Sequence, residues 1–204
     1  ITVLEGQAEI SVEGRTYQLG PLDNITIPRW LPHQARNPNP TQAARVHVAL
    51  AMSVPEREPS VRPFEKIEMP SDSKGVPGFE RVTRIACATH SLNLGSGVEY
   101  ADYFNAELVP GIEMSGGFAR FEPGGRLPDH LHEFDESICI VRGAASCQVE
   151  GREYLLDHCA TAMVPRGRVH YFINQSDQPM EMVWVYAGPM PERIVIRSDF
   201  IRGK

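Results

Sequence analysis

Shifted by 137 residues, the sequence aligns with itself. EGQAEISVEGRTYQL (residues 5–19) falls on RGAASCQVEGREYLL (142–156), so that Gly6 meets Gly143, Gly14 meets Gly151 and Tyr17 meets Tyr154. With no gap, IPRWLPHQARN (27–37) then falls on VPRGRVHYFIN (164–174), which brings Pro28, Arg29, His33 and Asn37 onto Pro165, Arg166, His170 and Asn174. The register runs on to Val46 and Val48 against Val183 and Val185. A constant offset held over about fifty residues means two copies of one unit, so whatever the chain folds into must be built twice.

Each copy reads as β. SCQVEG, REYLL, TAMVP, VHYFIN and MEMVWVYAG are short runs of branched and aromatic residues, separated by Gly, Pro and Asp turns. Strands of that length at that spacing predict an antiparallel sandwich or barrel. The stretch SVPEREPSVRPFEKIEMPSDSKGVPGFE (53–80) is rich in Pro and charge and reads as an extended linker. The expected organisation is therefore the C-terminal part of a first barrel over 1–52, a linker over 53–80 and a second barrel over 81–204. The first barrel is expected to be truncated at its N-terminus, because the counterpart of Glu136 would fall two residues before Ile1.

Within the second copy, PDHLHEFDES (128–137) places two histidines two residues apart and a glutamate four residues further on. On a strand, His130 and His132 share a face. His170 opens another strand after the tight turn PRGR. If the two strands are neighbours in a barrel, His130, His132, Glu136 and His170 can converge inside it. Three imidazoles and a carboxylate suit Fe, Mn, Ni, Co, Cu or Zn, not Ca or Mg. In the first copy only His33 remains of these donors, and Trp30 stands where the second copy has Gly167.

The pattern Gly124, His130-x-His132, Glu136, Gly143, followed by Pro165-x-Gly167-x-x-His170-x-x-x-Asn174, resembles the two signature motifs of the cupin superfamily of small β-barrels. Cys159 departs from it, standing where the second motif begins with glycine. The resemblance covers one whole copy and the tail of the other, which implies an all-β fold of two tandem cupin (jelly-roll-like) barrels, a bicupin. It implies one divalent transition metal in the second barrel, with His130, His132, Glu136 and His170 as ligands.

Around that centre, Phe172 shares the parity of His170, and Trp184 and Tyr186 share a face of the last long strand. Arg120 lies on the strand entering the motif and could pair with an anionic group of a substrate. These four are the candidate substrate-binding residues, and no catalytic residue is singled out. Tyr154 is set aside because Tyr17 occupies the same place in the first copy, as a shared packing residue would. Asp129 and Asp135, of opposite parity to the ligands, read as facing outward, with a role as acceptors for imidazole N–H groups as the alternative.

The net charge of −6 with scattered basic residues argues against a nucleic-acid partner, and no apolar run of membrane-spanning length occurs. Four cysteines without a CxxC pair, two of them inside apolar runs, read as reduced thiols in a cytoplasmic protein. The expected partner is a small polar metabolite. The resemblance makes a homodimer through edge strands a candidate assembly, with the run ERIVIRSDFIRGK at the C-terminus lying across a neighbouring barrel. Three imidazoles, one carboxylate and an aromatic lining suit redox chemistry, which puts a non-haem dioxygenase first. A metal-dependent isomerase, epimerase or lyase of a sugar or organic acid, or a non-catalytic ligand-binding barrel, are the alternatives.

Overall fold

A computed structural model of the chain describes residues 1–60, 62–93 and 96–196. The chain divides by contacts into two units, Ile1–Ala88 and Thr89–Lys204. In the first, the strands are β1 (Thr2–Glu5), β2 (Ala8–Val12), β3 (Arg15–Leu19), β4 (Asn24–Thr26), β5 (His33–Arg36), β6 (Arg45–His47), β7 (Ile67–Glu68) and β8 (Arg81–Thr83). They form two four-stranded sheets, ordered β6-β1-β4-β8 and β5-β2-β3-β7. Val3, Ile10, Val12, Tyr17, Leu19 and Ile25 are fully or almost fully buried in one cluster.

The second unit contains β9 (Ser91–Asn93), β10 (Val98–Phe104), β11 (Ser115–Phe121), β12 (His130–Leu131), β13 (Glu136–Arg142), β14 (Ala145–Val149), β15 (Arg152–Leu156), β16 (Thr161–Val164), β17 (His170–Ile173), β18 (Met180–Tyr186) and β19 (Ile194–Val195). Six of them form a sheet in the order β16-β13-β18-β11-β10-β9, and five form β15-β14-β17-β12-β19. The long antiparallel ladder of β11, β18 and β13 sets which side chains share a row. Gly117 lies across from Trp184 and Trp184 across from Ile138; one row along, Ser115 faces Tyr186 and Tyr186 faces Glu136. The inward positions Ala119, Phe121, Ile138, Ile140, Met180, Met182 and Trp184 pack with Phe172 of the other sheet. Each large apolar side chain buried in this way contributes about 1.5–3 kcal/mol.

The repeat is visible in the backbone itself. Positive φ recurs at the same offset: Gly6 and Gly143, Glu13 and Glu150, Gly14 and Gly151, Leu22 and Cys159, Trp30 and Gly167. Cys159 (φ 62°) therefore keeps the turn that the glycine of the motif would make, and so does Trp30 (φ 70°).

The boundaries expected from composition need correction. β7 lies inside the Pro-rich stretch 53–80 and pairs in parallel with β3. β8, placed by the sequence at the start of the second barrel, pairs with β4 of the first unit, and the division falls after Ala88. Pairing with a sheet edge needs only two or three residues, too few for periodicity to reveal. The repeat also misleads at one pair of tyrosines. Tyr17 is fully buried and its hydroxyl bonds Glu80, but Tyr154 is half-exposed on β15, which ends its sheet. Residues 197–204, most of the terminal run expected to reach a neighbouring barrel, lie outside the described residues. No helix among the described residues is long and apolar enough to cross a membrane.

Candidate metal centre

His130 of β12 is directly paired with His170 of β17. Side chains of such a cross-strand pair stand on the same face at close spacing, and their ring centroids are 4.3 Å apart. His132 follows two residues on and lies 5.0 and 5.3 Å from the other two rings. Glu136 opens β13 in the opposite sheet, so the donors are drawn from both layers of the barrel. One ligating atom from each of the four residues lies within 4.8 Å of every other, and all four side chains are buried.

The orientation of each ring is fixed from behind. His130 Nδ1 meets the carbonyl of Pro128 at 2.7 Å, His132 Nδ1 that of Glu192 at 2.6 Å, and His170 Nδ1 that of Arg168 at 2.9 Å. A carbonyl only accepts, so each Nδ1 carries the proton and a neutral ring must turn the lone pair of Nε2 inward. The backbone thus supplies the acceptors for which Asp129 and Asp135 were candidates. Asp129 instead pairs with Arg126, and Asp135 accepts the backbone N–H of Arg166.

Nε2 of His130 and Nε2 of His132 are buried and, among the described residues, have no hydrogen-bond partner. Orphaned polar atoms are rare in protein interiors, and two of them aimed at one point need a cation or proton there. Glu136 Oε2 lies 2.7 Å from His170 Nε2 and 3.5 Å from His132 Nε2. Burial opposes its ionisation, yet the flanking imidazoles prevail and hold its carboxyl down at about 2. Burial presses His130 down to about 4, which keeps it neutral. His170 is also disfavoured as a cation by burial, but the Glu136 carboxylate outweighs this and raises it. Anionic carboxylate and inward lone pairs are the donor chemistry a divalent transition ion requires, so the residues fit one.

Three of the four candidate substrate residues border this centre. Phe172 is fully buried with its ring 6.0 Å from His170. Tyr186 lies 4.4 Å from the His132 ring, and Trp184 lies 4.7 Å from Tyr186. Arg120 does not: it pairs with Glu122 and Glu181 on the opposite face of the sheet from Phe121, and cannot reach the barrel interior. Phe134, between the ligands in sequence, stacks on His132 at 5.3 Å.

A cavity of about 190 Å³ adjoins Tyr186 and Trp184, lined also by Tyr100, Asp102, Leu127 and Arg193. At about 30 Å³ per water it holds some six waters, or a ligand of a few heavy atoms. A wider hollow of about 380 Å³ beside Glu150, Arg152, Tyr154 and Arg168 is lined by exposed side chains and none of the four donors. Asp102 is the residue that sequence reasoning missed. The signal was present in VEYADYF, where a carboxylate shares the parity of Val98 and Tyr100 on a strand whose inward face is otherwise apolar.

A double β-barrel unit with a metal-type donor set in its second half defines the class of protein. The family model described as Cupin domain matches residues 1–50 and 117–186, more than half of the chain, and the chain belongs to that family. No curated protein matches the sequence. Among solved structures, oxalate decarboxylase of Lactobacillus farciminis in its formate complex is similar with a TM-score of 0.65 at 15% identity, covering 100% of this chain and 74% of that one. A point mutant of Bacillus subtilis oxalate decarboxylase gives 0.65 at 17% identity, covering 98% and 68%. An oxalate oxidase with the substrate analogue glycolate gives 0.49 at 19% identity, and here the chain covers 56% of itself and only 62% of the other protein's length. The two oxalate decarboxylase likenesses, which span nearly the whole chain, establish the fold, including its tandem arrangement.

Proposed function

We propose that His130, His132, Glu136 and His170 hold one divalent transition metal, and that the protein is a metal-dependent enzyme acting on a small polar metabolite, with a non-haem dioxygenase as the leading assignment. The observation that carries this is the pair of unpartnered Nε2 atoms of His130 and His132, buried and directed at the Glu136 carboxylate. When bound, a redox-active metal would supply sites for a chelating substrate and dioxygen. The chain's own residues do the rest. The carbonyls of Pro128, Arg168 and Glu192 hold the imidazoles in the required tautomer. Phe134, Phe172 and Tyr186 surround the rings with apolar surface, which excludes water and strengthens every electrostatic contact inside.

Fold-sharing oxalate decarboxylases make small organic acids the first substrates to screen. A second reading, proton transfer in an isomerase or lyase, draws on one observation: the cavity wall carries a carboxylate, Asp102, able to serve as a base. Metal analysis of protein purified without chelators, with an oxygen-uptake screen over small organic acids, separates the two. Iron with substrate-dependent uptake supports the dioxygenase; manganese, nickel or zinc with none turns the assignment to the isomerase or lyase. Full activity in His132→Ala would overturn the assignment of the reaction to a metal held by these four residues.

A further inference from the structure

We infer that Asp102 contacts the substrate and restricts the cavity to ligands that present a hydroxyl or amino hydrogen to it, so that a small 2-hydroxy carboxylate is accepted over an acceptor-only dianion. This rests on the metal-dependent reading above and adds the substrate class to it.

The placement follows from register. Asp102 of β10 is across from Gly117, which is across from Trp184, so Asp102 stands on the inward face in the row next to the one that holds Glu136. A β-bulge between Asp102 and Phe104 lets these two residues face opposite sides, as bulges near functional sites do when they re-aim a side chain. Gly117 keeps the row open: a Cβ there would come within 2.2 Å of the Ala101 carbonyl and 2.6 Å of the Trp184 ring.

The polarity of Asp102 is also determined. Its Oδ2 accepts from Asn105 Nδ2 at 3.1 Å. Asn105 cannot turn its amide round, because its own Oδ1 already accepts the backbone N–H groups of Glu107 and Leu108 at 3.0 Å each. The other oxygen, Asp102 Oδ1, is buried and has no partner among the described residues. Ser115 Oγ, in the row of Tyr186 and Glu136, is likewise buried and unpartnered. A buried carboxylate oxygen without a donor, on a residue that lines a small cavity, asks for a hydrogen from whatever fills that cavity. Arg193 lines the same cavity and offers a cation to the ligand's carboxylate.

Asp102→Asn reverses the demand. Asn105 still requires an acceptor, so Asn at position 102 must turn its oxygen to Asn105 and its NH2 group into the cavity. Calorimetric titration of glycolate and of oxalate, on wild type and on Asp102→Asn, with metal content measured in every sample, reads this out. Wild type is expected to bind glycolate on the order of ten- to a hundredfold more tightly than oxalate. The ratio is expected to collapse or invert in Asp102→Asn. Equal affinities in wild type, or an unchanged ratio in the variant, overturn the inference, and the wild-type comparison stands even if the variant does not fold. Failure of both ligands to bind overturns the substrate class. Stoichiometric metal with an unchanged ratio sinks the role of Asp102 and leaves the metal centre standing; protein that takes up no metal sinks the metal centre, and the ratio still tests Asp102.

Discussion

At the scale of single residues, the barrel interior carries groups that its stability alone would not select. Asp102 is raised above the ordinary carboxylate value of 3.8, first by burial and then by the neighbouring Glu107 charge, against the opposing hydrogen bond from Asn105. A raised folded-state value means that ionisation disfavours the fold. The contribution of Asp102 is therefore greatest below the ordinary carboxylate value and is lost as pH rises through the raised one. Urea unfolding is expected to find Asp102→Asn at least as stable as wild type at pH 7, with an advantage that shrinks as the pH falls toward 4. A variant markedly less stable at both values would make Asp102 a structural residue. The four donors could be read from the sequence because three of them sit within seven consecutive residues and the fourth follows a turn with a fixed sequence. Arg120 could not be placed as securely. In FARF, apolar residues occupy both parities, so alternation gives the spacing of the strand without its phase, and only pairing with Glu181 shows that the arginine faces outward.

At the scale of elements, the two copies preserve turns more faithfully than surfaces. Trp30 and Gly167 occupy the same turn with φ of 70° and 75°, though the first is a bulky residue that is 86% exposed. The left-handed region costs an L-residue about 1–2 kcal/mol, of which glycine's greater freedom in the unfolded chain returns part. Trp30→Gly is accordingly expected to stabilise the first unit by about 1 kcal/mol in denaturant titration, since so exposed a ring gives up little packing. Gly167→Ala is expected to cost the second unit a similar amount. Nothing lies within 4 Å of the added Cβ, so that loss would come from the backbone alone. No change in either variant would mean that the turn relaxes freely. Outside the turns the copies diverge for a physical reason. β3 is flanked by β7 and its Tyr17 is enclosed; β15 ends its sheet and Tyr154 is left half-exposed. The repeat therefore identified the strands and their turns, while β7, hidden among prolines at 53–80, had too few residues to announce itself.

At the scale of the whole molecule, each unit has its own apolar cluster, and among the described residues the four-donor centre lies in the second unit. A ligand that binds only the native state stabilises it by RT ln(1 + [L]/Kd), about 4 kcal/mol at a thousandfold excess over Kd. For a unit of this size that is a rise in melting temperature of roughly 10 °C or more. The sequence supplies a reporter for each unit, since its two tryptophans are Trp30 and Trp184. Trp184 is almost wholly buried, one row from Glu136, whereas Trp30 lies on the surface of the first unit. In a Trp30→Phe background the indole fluorescence therefore reports the second unit. Its melting midpoint is expected to fall by that amount when metal is stripped with a chelator, and to recover on addition of the metal found in the purified protein. The same titration on Trp30→Phe with Glu136→Gln is expected to show a smaller chelator effect, because the anion among the donors is gone and three neutral imidazoles hold the ion more weakly. A midpoint indifferent to chelator in the parent would mean that the inward lone pairs are satisfied some other way, and with that the case for a metal-dependent enzyme falls.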